Sequence, residues 1–203
     1  MGLRERKKQA TRRALQGAAV RLTLERGLEN VTVEEIAAAA EVSARTFFNY
    51  FATKEEALLG DGPFTPGEHE REVFVEGGPT GDFVEDLIDL LIDSLLGSGD
   101  LATHQAEAAR RKELLDREPQ LLPGFLARLH RAEQELAAAI AERSGTPADD
   151  IRSSLIAASA MSVIRHTMKR VPYGDDPDIE AARTLLRHAF RSLGEAFGRD
   201  ERP

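Results

Sequence analysis

The sequence predicts an all-α protein in two parts, and three observations carry that prediction. Apolar residues recur at three- and four-residue spacing almost throughout, whereas two-residue alternation is missing. Aromatic residues make up only 5% of the chain and long Val/Ile/Thr runs are lacking, which disfavours strands. Helix start and stop signals punctuate the apolar pattern at regular intervals.

The first helix is expected over residues 5–26, with Ala14, Leu15, Ala18, Ala19 and Leu22 inward and Gly27 as its stop. Thr32-Val33-Glu34-Glu35 reads as a capping box that starts a second helix ending near Ala40. Ser43 caps a third helix over 45–51, and Thr53-Lys54-Glu55-Glu56 is a further capping box for a fourth. Residues 60–81 hold six glycines with Pro63, Pro66 and Pro79, and read as a mobile connection with one short ordered piece near 71–75. Longer helices follow over 82–96, 101–117 (stopped by Pro119) and 123–143 (ended by Gly145). Thr146-Pro147 then predicts a cap-plus-proline start for a helix to about residue 170, and Asp176-Pro177 another for a last helix to Phe197. The domain boundary is expected at 60/61, giving domains 1–60 and 61–203.

Composition excludes several chemistries. The 203 residues contain no cysteine, which removes disulfides, zinc–thiolate sites, iron–sulfur clusters and thiol catalysis. The longest apolar run, Leu136–Ala141 between Glu135 and Glu142, is far short of the roughly 20 residues a membrane span needs. The N-terminus is densely charged with no apolar stretch behind it, so no secretory signal and a soluble, cytoplasmic protein are expected. His69, His104, His130, His166 and His188 show no metal-ligand spacing, and neither a phosphate loop nor a nucleophile elbow is present. The expectation is therefore no enzyme, no metal and no cofactor.

Charge placement is more informative than the net −8. Residues 1–54 carry ten Lys/Arg against six Glu, whereas the remainder carries 17 basic against 29 acidic residues. A basic end on an acidic body suits contact with a polyanion in one orientation. Residues 33–51 have the layout of a helix-turn-helix: Ile36 and Ala37 inward, Val42 in the turn, Phe47 and Phe51 four apart against the core. Ser43, Ala44, Arg45, Thr46, Asn49 and Tyr50 are left on the outer faces, where a recognition helix meets the major groove.

Four of the eleven aromatics (Phe47, Phe48, Tyr50 and Phe51) fall within five residues, beside Asn49 and Lys54. With Thr32-Val33, Ile36-Ala37, Ala40-Glu41-Val42-Ser43, Thr46 and Lys54-Glu55, this stretch resembles the tetracycline-repressor-like (TetR) family of bacterial transcription regulators over residues 5–60. The chain departs from the family in having Glu41 where the turn usually has glycine, and Phe48 where a phosphate-binding tyrosine is common; Tyr50 becomes the phenolic donor.

Resemblance and layout together assign contacts with double-stranded DNA. Arg45 grips a guanine edge, Ala44 touches a thymine methyl, and Asn49 reads adenine or holds phosphate. Thr32, Ser43, Thr46, Tyr50 and Lys54 are assigned to the backbone, with Lys7, Lys8 and Arg12 adding phosphate contacts. The resemblance implies a ligand-released repressor of a palindromic operator; the uncharged stretch Leu155–Ile164 and the apolar stripe of the last helix (Ile179, Ala182, Leu186, Ala189, Phe190, Leu193, Phe197) make the last two helices the expected homodimer surface. The resemblance also implies an effector pocket among the middle helices, for which Ile88, Leu91, Leu95, His104, Ala108, Phe125, Leu129, Ile164 and Met168 are candidates. Arg110-Arg111-Lys112 reads as a solvated run or as a holder of an anionic head group; the effector is expected to be hydrophobic or amphipathic. The alternative is a helical ligand-binding or protein-interaction module that does not use its helix-turn-helix on DNA.

Overall fold

The computed structural model describes residues 3–60, 66–96, 101–171 and 179–197, and these are helical or connecting, with no strand among them. They form two compact units. The first comprises residues 1–62 with 107–127; the second comprises 63–106 with 128–203.

The first unit is built from α1 (Leu3–Arg26), α2 (Val33–Ala39), α3 (Ala44–Phe48) and α4 (Lys54–Leu59). It also takes in the later part of α7 (Leu101–Arg117) and the start of α8 (Leu122–Ser144). Residues 107–127 extend this unit beyond the 1–60 span because Leu114 and Leu121 are buried in the same core as Leu15, Ile36, Phe47 and Phe51. The inward stripe of α1 is Leu15, Ala18, Ala19, Leu22 and Thr23, whereas Ala14 is exposed. Positions i, i+3, i+4, i+7 and i+8 share a helix face, and Ala14 lies one step off it.

Local chemistry explains the short helices. Thr32 accepts from the Glu35 amide and Glu35 accepts from the Thr32 amide, completing the box at the head of α2. The amide of Glu41 bonds the Ala38 carbonyl and that of Val42 bonds the Ala37 carbonyl, a Schellman ending that places Glu41 at φ 57°. Ser43 caps α3 through the Thr46 amide. This helix is shorter than the expected 45–51, yet the Tyr50 and Phe51 amides both reach the Phe47 carbonyl, so the chain keeps winding to Phe51. Thr53 caps α4 through the Glu56 amide, but Glu56 accepts from Ala52 rather than Thr53, so the reciprocal half of the box is displaced by one residue.

Glu41 carries backbone strain that can be measured. A side chain in the left-handed region costs about 1–2 kcal/mol, partly offset by the entropy a glycine loses on folding. Glu41→Gly is expected to raise stability by up to about 1 kcal/mol, read by denaturant unfolding, and to tighten duplex binding by removing an anion from the turn.

The second unit contains α5 (Glu68–Val75), α6 (Phe83–Leu96), most of α8, α9 (Ile151–Met168) and α10 (Ile179–Phe197). α5 begins three residues before the ordered piece expected in the 60–81 connection and buries Phe74 against the ring of Phe83. Ile88, Leu91, Leu136, Ile140, Ala157, Ile164 and Leu186 form its core. Arg187 donates from Nε to both carboxylate oxygens of Glu85, and Arg183 pairs with Asp89, joining α10 to α6. Gly145 (φ +65°) ends α8 as expected, with the Thr146 amide bonding the Ala141 carbonyl. Thr146-Pro147 does not start the next helix. Thr146 is engaged in ending α8, and Asp150 caps α9 by accepting from the Ser153 amide and hydroxyl. That backbone bond holds the Asp150 carboxyl below its ordinary pKa. The expected start at Asp176-Pro177 lies outside the described residues.

Candidate DNA-recognition site

Two buried rings set the orientation of α3. Phe47 is fully buried and Phe51 nearly so, with ring centroids 5.7 Å apart. Arg12 of α1 lies over the Phe51 ring at 4.5 Å and donates to the Tyr50 carbonyl at 3.2 Å. A cation over an aromatic face and a bond to the end of α3 together lock the helix to α1. The sequence places Arg12 among the phosphate contacts; the structure gives it an anchoring task.

Most of the expected contact residues lie on α3 or directly beside it in the chain. Arg45 and Asn49 are exposed, and Arg45 has no hydrogen-bonding or ionic partner among the described residues. Its five donors are thus available to a base edge. Ser43 and Thr46 sit at the head of α3 with hydroxyls 2.9 Å apart, and Ala44 is half-buried between them in sequence. Tyr50 is half-buried and packs on the core of its unit. Phe48, at the position where the family commonly has tyrosine, is 57% exposed. Thr32 is exposed at the N-terminus of α2, its hydroxyl engaged with Glu35. Those bonds, the Thr32 backbone amide foremost, hold the Glu35 carboxyl below its ordinary pKa. Lys7 and Lys8 are exposed on α1.

Lys54 has a task that spacing does not reveal. Its ammonium donates to the carbonyls of Leu28 at 2.7 Å and Val31 at 3.0 Å. Two of its three donors therefore tie α4 to the segment before α2, leaving one for a phosphate. The Leu28 amide is in turn held by Glu118 at 2.7 Å, and Arg117 donates to the Leu24 carbonyl at 2.9 Å. Neither Glu118 nor Arg117 stands out in the sequence, because each bonds a backbone group about 90 residues away.

The expected effector residues do not gather in one place. Ile88, Leu91, Leu95 and Ile164 are buried in the core of the second unit, and Leu129 and Met168 pack against it. Ala108 and Phe125 belong to the first unit, where Phe125 packs near Leu114 and Leu121. The reason is that α7 and α8 each run from one unit into the other, so residues on one helix serve different cores. The side chain of His104 lies outside the described residues.

No helix among the described residues is long and apolar enough to cross a membrane. Residues 17–59 match the family described as bacterial regulatory proteins, tetR family, and residues 85–198 match the MftR C-terminal domain. The HTH-type transcriptional regulator TcmR of Streptomyces glaucescens is 36% identical, the match covering 100% of this chain and 91% of TcmR. Among solved structures, the multidrug binding protein EbrR complexed with imidazole is 21% identical, with a TM-score of 0.42 and 88% of each chain covered. RolR in complex with resorcinol is also 21% identical, with a TM-score of 0.26 and coverage of 98% of this chain and 97% of RolR. The tetR-family match falls on the helices that carry the exposed Arg45 edge, and the full-length match to TcmR extends the relation to the whole chain: the protein belongs to the TetR family and is a DNA-binding transcriptional regulator.

Proposed function

We propose that the chain acts in the bacterial cytoplasm as a homodimeric repressor that places two copies of α3 in successive major grooves of a palindromic operator. On this reading a hydrophobic or amphipathic small molecule releases it. The carrying observation is the free polar edge of α3, led by Arg45, on a helix whose opposite side is pinned by Phe47 and Phe51. One such helix reads only a few base pairs, so specificity needs a second about 34–36 Å away or a multiple of that distance.

The last two helices support the pairing. On α9, Ile151 is 73% and Leu155 60% exposed, one turn apart, next to half-buried Ala158, Ser159 and Ser162. On α10, Leu185, Ala189, Phe190 and Leu193 are half-buried. Apolar and small side chains on neighbouring helices suit a bundle across a two-fold axis. Release follows if the effector prefers a dimer whose two α3 helices no longer match the groove spacing, and it shifts the equilibrium only by that preference. The family is regulatory, and no catalytic step is assigned to the chain.

Selection from random duplexes by the full chain tests the reading. The expected outcome is enrichment of a two-fold symmetric sequence, bound two chains per duplex, with affinity falling steeply as salt rises. No enrichment and no duplex binding at low ionic strength would leave the helix-turn-helix without its assigned role.

A further inference from the structure

The first unit contains a cavity of about 840 Å³ bounded by α1, α4 and α7, away from the core of the second unit and lined in part by Arg110 and Arg111. Its apolar part is formed by Val20 and Leu24 of α1 with Leu58 and Leu59 of α4. Five arginines line it against three glutamates, a local cationic excess in a chain of net charge −8. Two of the arginines are engaged: Arg117 with Glu113 and the Leu24 carbonyl, Arg21 with Glu25. Arg13, Arg110 and Arg111 have no hydrogen-bonding partner among the described residues.

Arg111 is the distinctive one. It is half-buried on the cavity wall, and that burial lowers its pKa from the ordinary guanidinium value, with Glu107 opposing the shift. A charge withdrawn from water without hydrogen bonds to replace it is costly, and an anion placed against it removes that cost. The volume suits a small-molecule ligand, and cavities of this size bind by apolar walls plus a few placed polar groups.

We propose that this cavity binds an anionic amphipathic small molecule, with its carboxylate or phosphate head against Arg111 and Arg110 and its apolar body on Val20, Leu24 and Leu58. The site lies within the DNA-binding unit itself. Its walls are the elements that hold the recognition helix: α1 carries Arg12, α4 carries the Lys54 clamp, and α7 ends in the Arg117 and Glu118 contacts. An occupant that spreads these helices weakens duplex binding directly. Only this last consequence rests on the operator-binding reading.

Fluorescence titration of the full chain with 1-anilinonaphthalene-8-sulfonate, in the absence of DNA, tests the site; uncharged N-phenyl-1-naphthylamine is the comparison. Gly17 lies on the cavity wall, and a Cβ added there meets nothing within 4 Å, so Gly17→Leu fills the space without a clash at its base. Wild type is expected to bind the sulfonate saturably, one per chain, and at least tenfold more tightly than the neutral probe. Gly17→Leu should abolish that binding, and Arg111→Gln should weaken it at least tenfold while leaving the neutral probe unchanged. Circular dichroism should show both variants folded. Sulfonate binding that is absent, unaffected by either variant or matched by the neutral probe overturns the site. Adding the sulfonate to a preformed duplex complex should weaken it at least tenfold in wild type and not in Gly17→Leu; an unchanged complex overturns the regulatory half while leaving the site. A chain that binds the sulfonate as expected but no duplex contradicts the operator reading alone.

Discussion

Phe47→Ala is expected to abolish sequence-specific duplex binding although it leaves every proposed base and phosphate contact in place. The ring is fully buried, stacked edge-on to Phe48 at 5.5 Å and tilted against Phe51 at 5.7 Å. Removing a buried phenyl costs about 3–5 kcal/mol through lost transfer energy and the cavity left behind. α3 has only five residues, far too few to persist as a helix without its packing. Its Ser43 cap adds only about 1 kcal/mol, so the lost packing outweighs anything the cap can hold. The matched control is Phe48→Ala. With 57% of its surface exposed, Phe48 should contribute within about 0.5 kcal/mol to stability. Denaturant unfolding of both variants, with fluorescence anisotropy on a selected duplex, separates the ring that holds the helix from the ring that faces outward.

Asp86→Ala should destabilise the second unit by about 3–5 kcal/mol, because it strands Arg143 as an unpaired buried charge. The two side chains are 2.7 Å apart, with 0% of Asp86 and 9% of Arg143 exposed. Arg143 also donates to the carbonyls of Phe74 and Gly77 and lies over the Phe74 ring at 4.6 Å. Asp86 accepts in turn from the Thr80 amide and hydroxyl. The backbone comes close enough here that Gly78, at φ +68°, has no room for a side chain: an added Cβ would lie 2.1 Å from the carboxylate. Replacing both partners, as Asp86→Leu with Arg143→Met, should recover most of the loss, since the cost lies in the orphaned charge more than in the absent pair.

The same pair makes stability pH-dependent with a definite sign. Burial acts to raise the Asp86 pKa, but the bonds from Thr80 and Arg143 outweigh it, and the carboxyl is held below its ordinary value. A carboxyl whose folded pKa is depressed contributes stability that is present above the ordinary carboxyl range and lost as pH falls through the depressed value. Wild type should therefore lose stability on acidification below about pH 4, and the double replacement should lose less.

Local chemistry is what the sequence makes legible. Thr32 with Glu35, Ser43 with Thr46, Gly145, and the pairing of Phe47 with Phe51 are each encoded within a few residues, and each is found in the structure. The left-handed Glu41 is legible too, as a non-glycine residue in a turn that normally takes glycine. Features that depend on partners far apart in the chain are not. Nothing near Lys54 says that its ammonium will hold Leu28 and Val31, and nothing near Arg143 names Asp86. Where two local signals compete, spacing cannot rank them: Thr146 and Asp150 both qualify as caps, and the closure of α8 takes the first. Thr23 reads as a polar surface position, yet it is buried on the inward stripe of α1, whereas Ala14, expected inward, is exposed. The placement of α7 and α8 residues in two different cores, which divides the expected effector residues, has no signature in apolar periodicity.

On the proposed reading Arg45 gives α3 its base readout, and the specificity ratio of Arg45→Ala tests that role. Affinities of wild type and variant are compared for the selected duplex and for a duplex with one conserved guanine replaced in each half-site. Wild type should discriminate between the two, and the variant should lose about 1–3 kcal/mol of this discrimination per half-site. Its affinity for unrelated duplex should fall only by the loss of one charge. A variant that binds both duplexes more weakly by the same factor, with the ratio intact, would contradict base readout by Arg45 and return that side chain to the phosphate backbone.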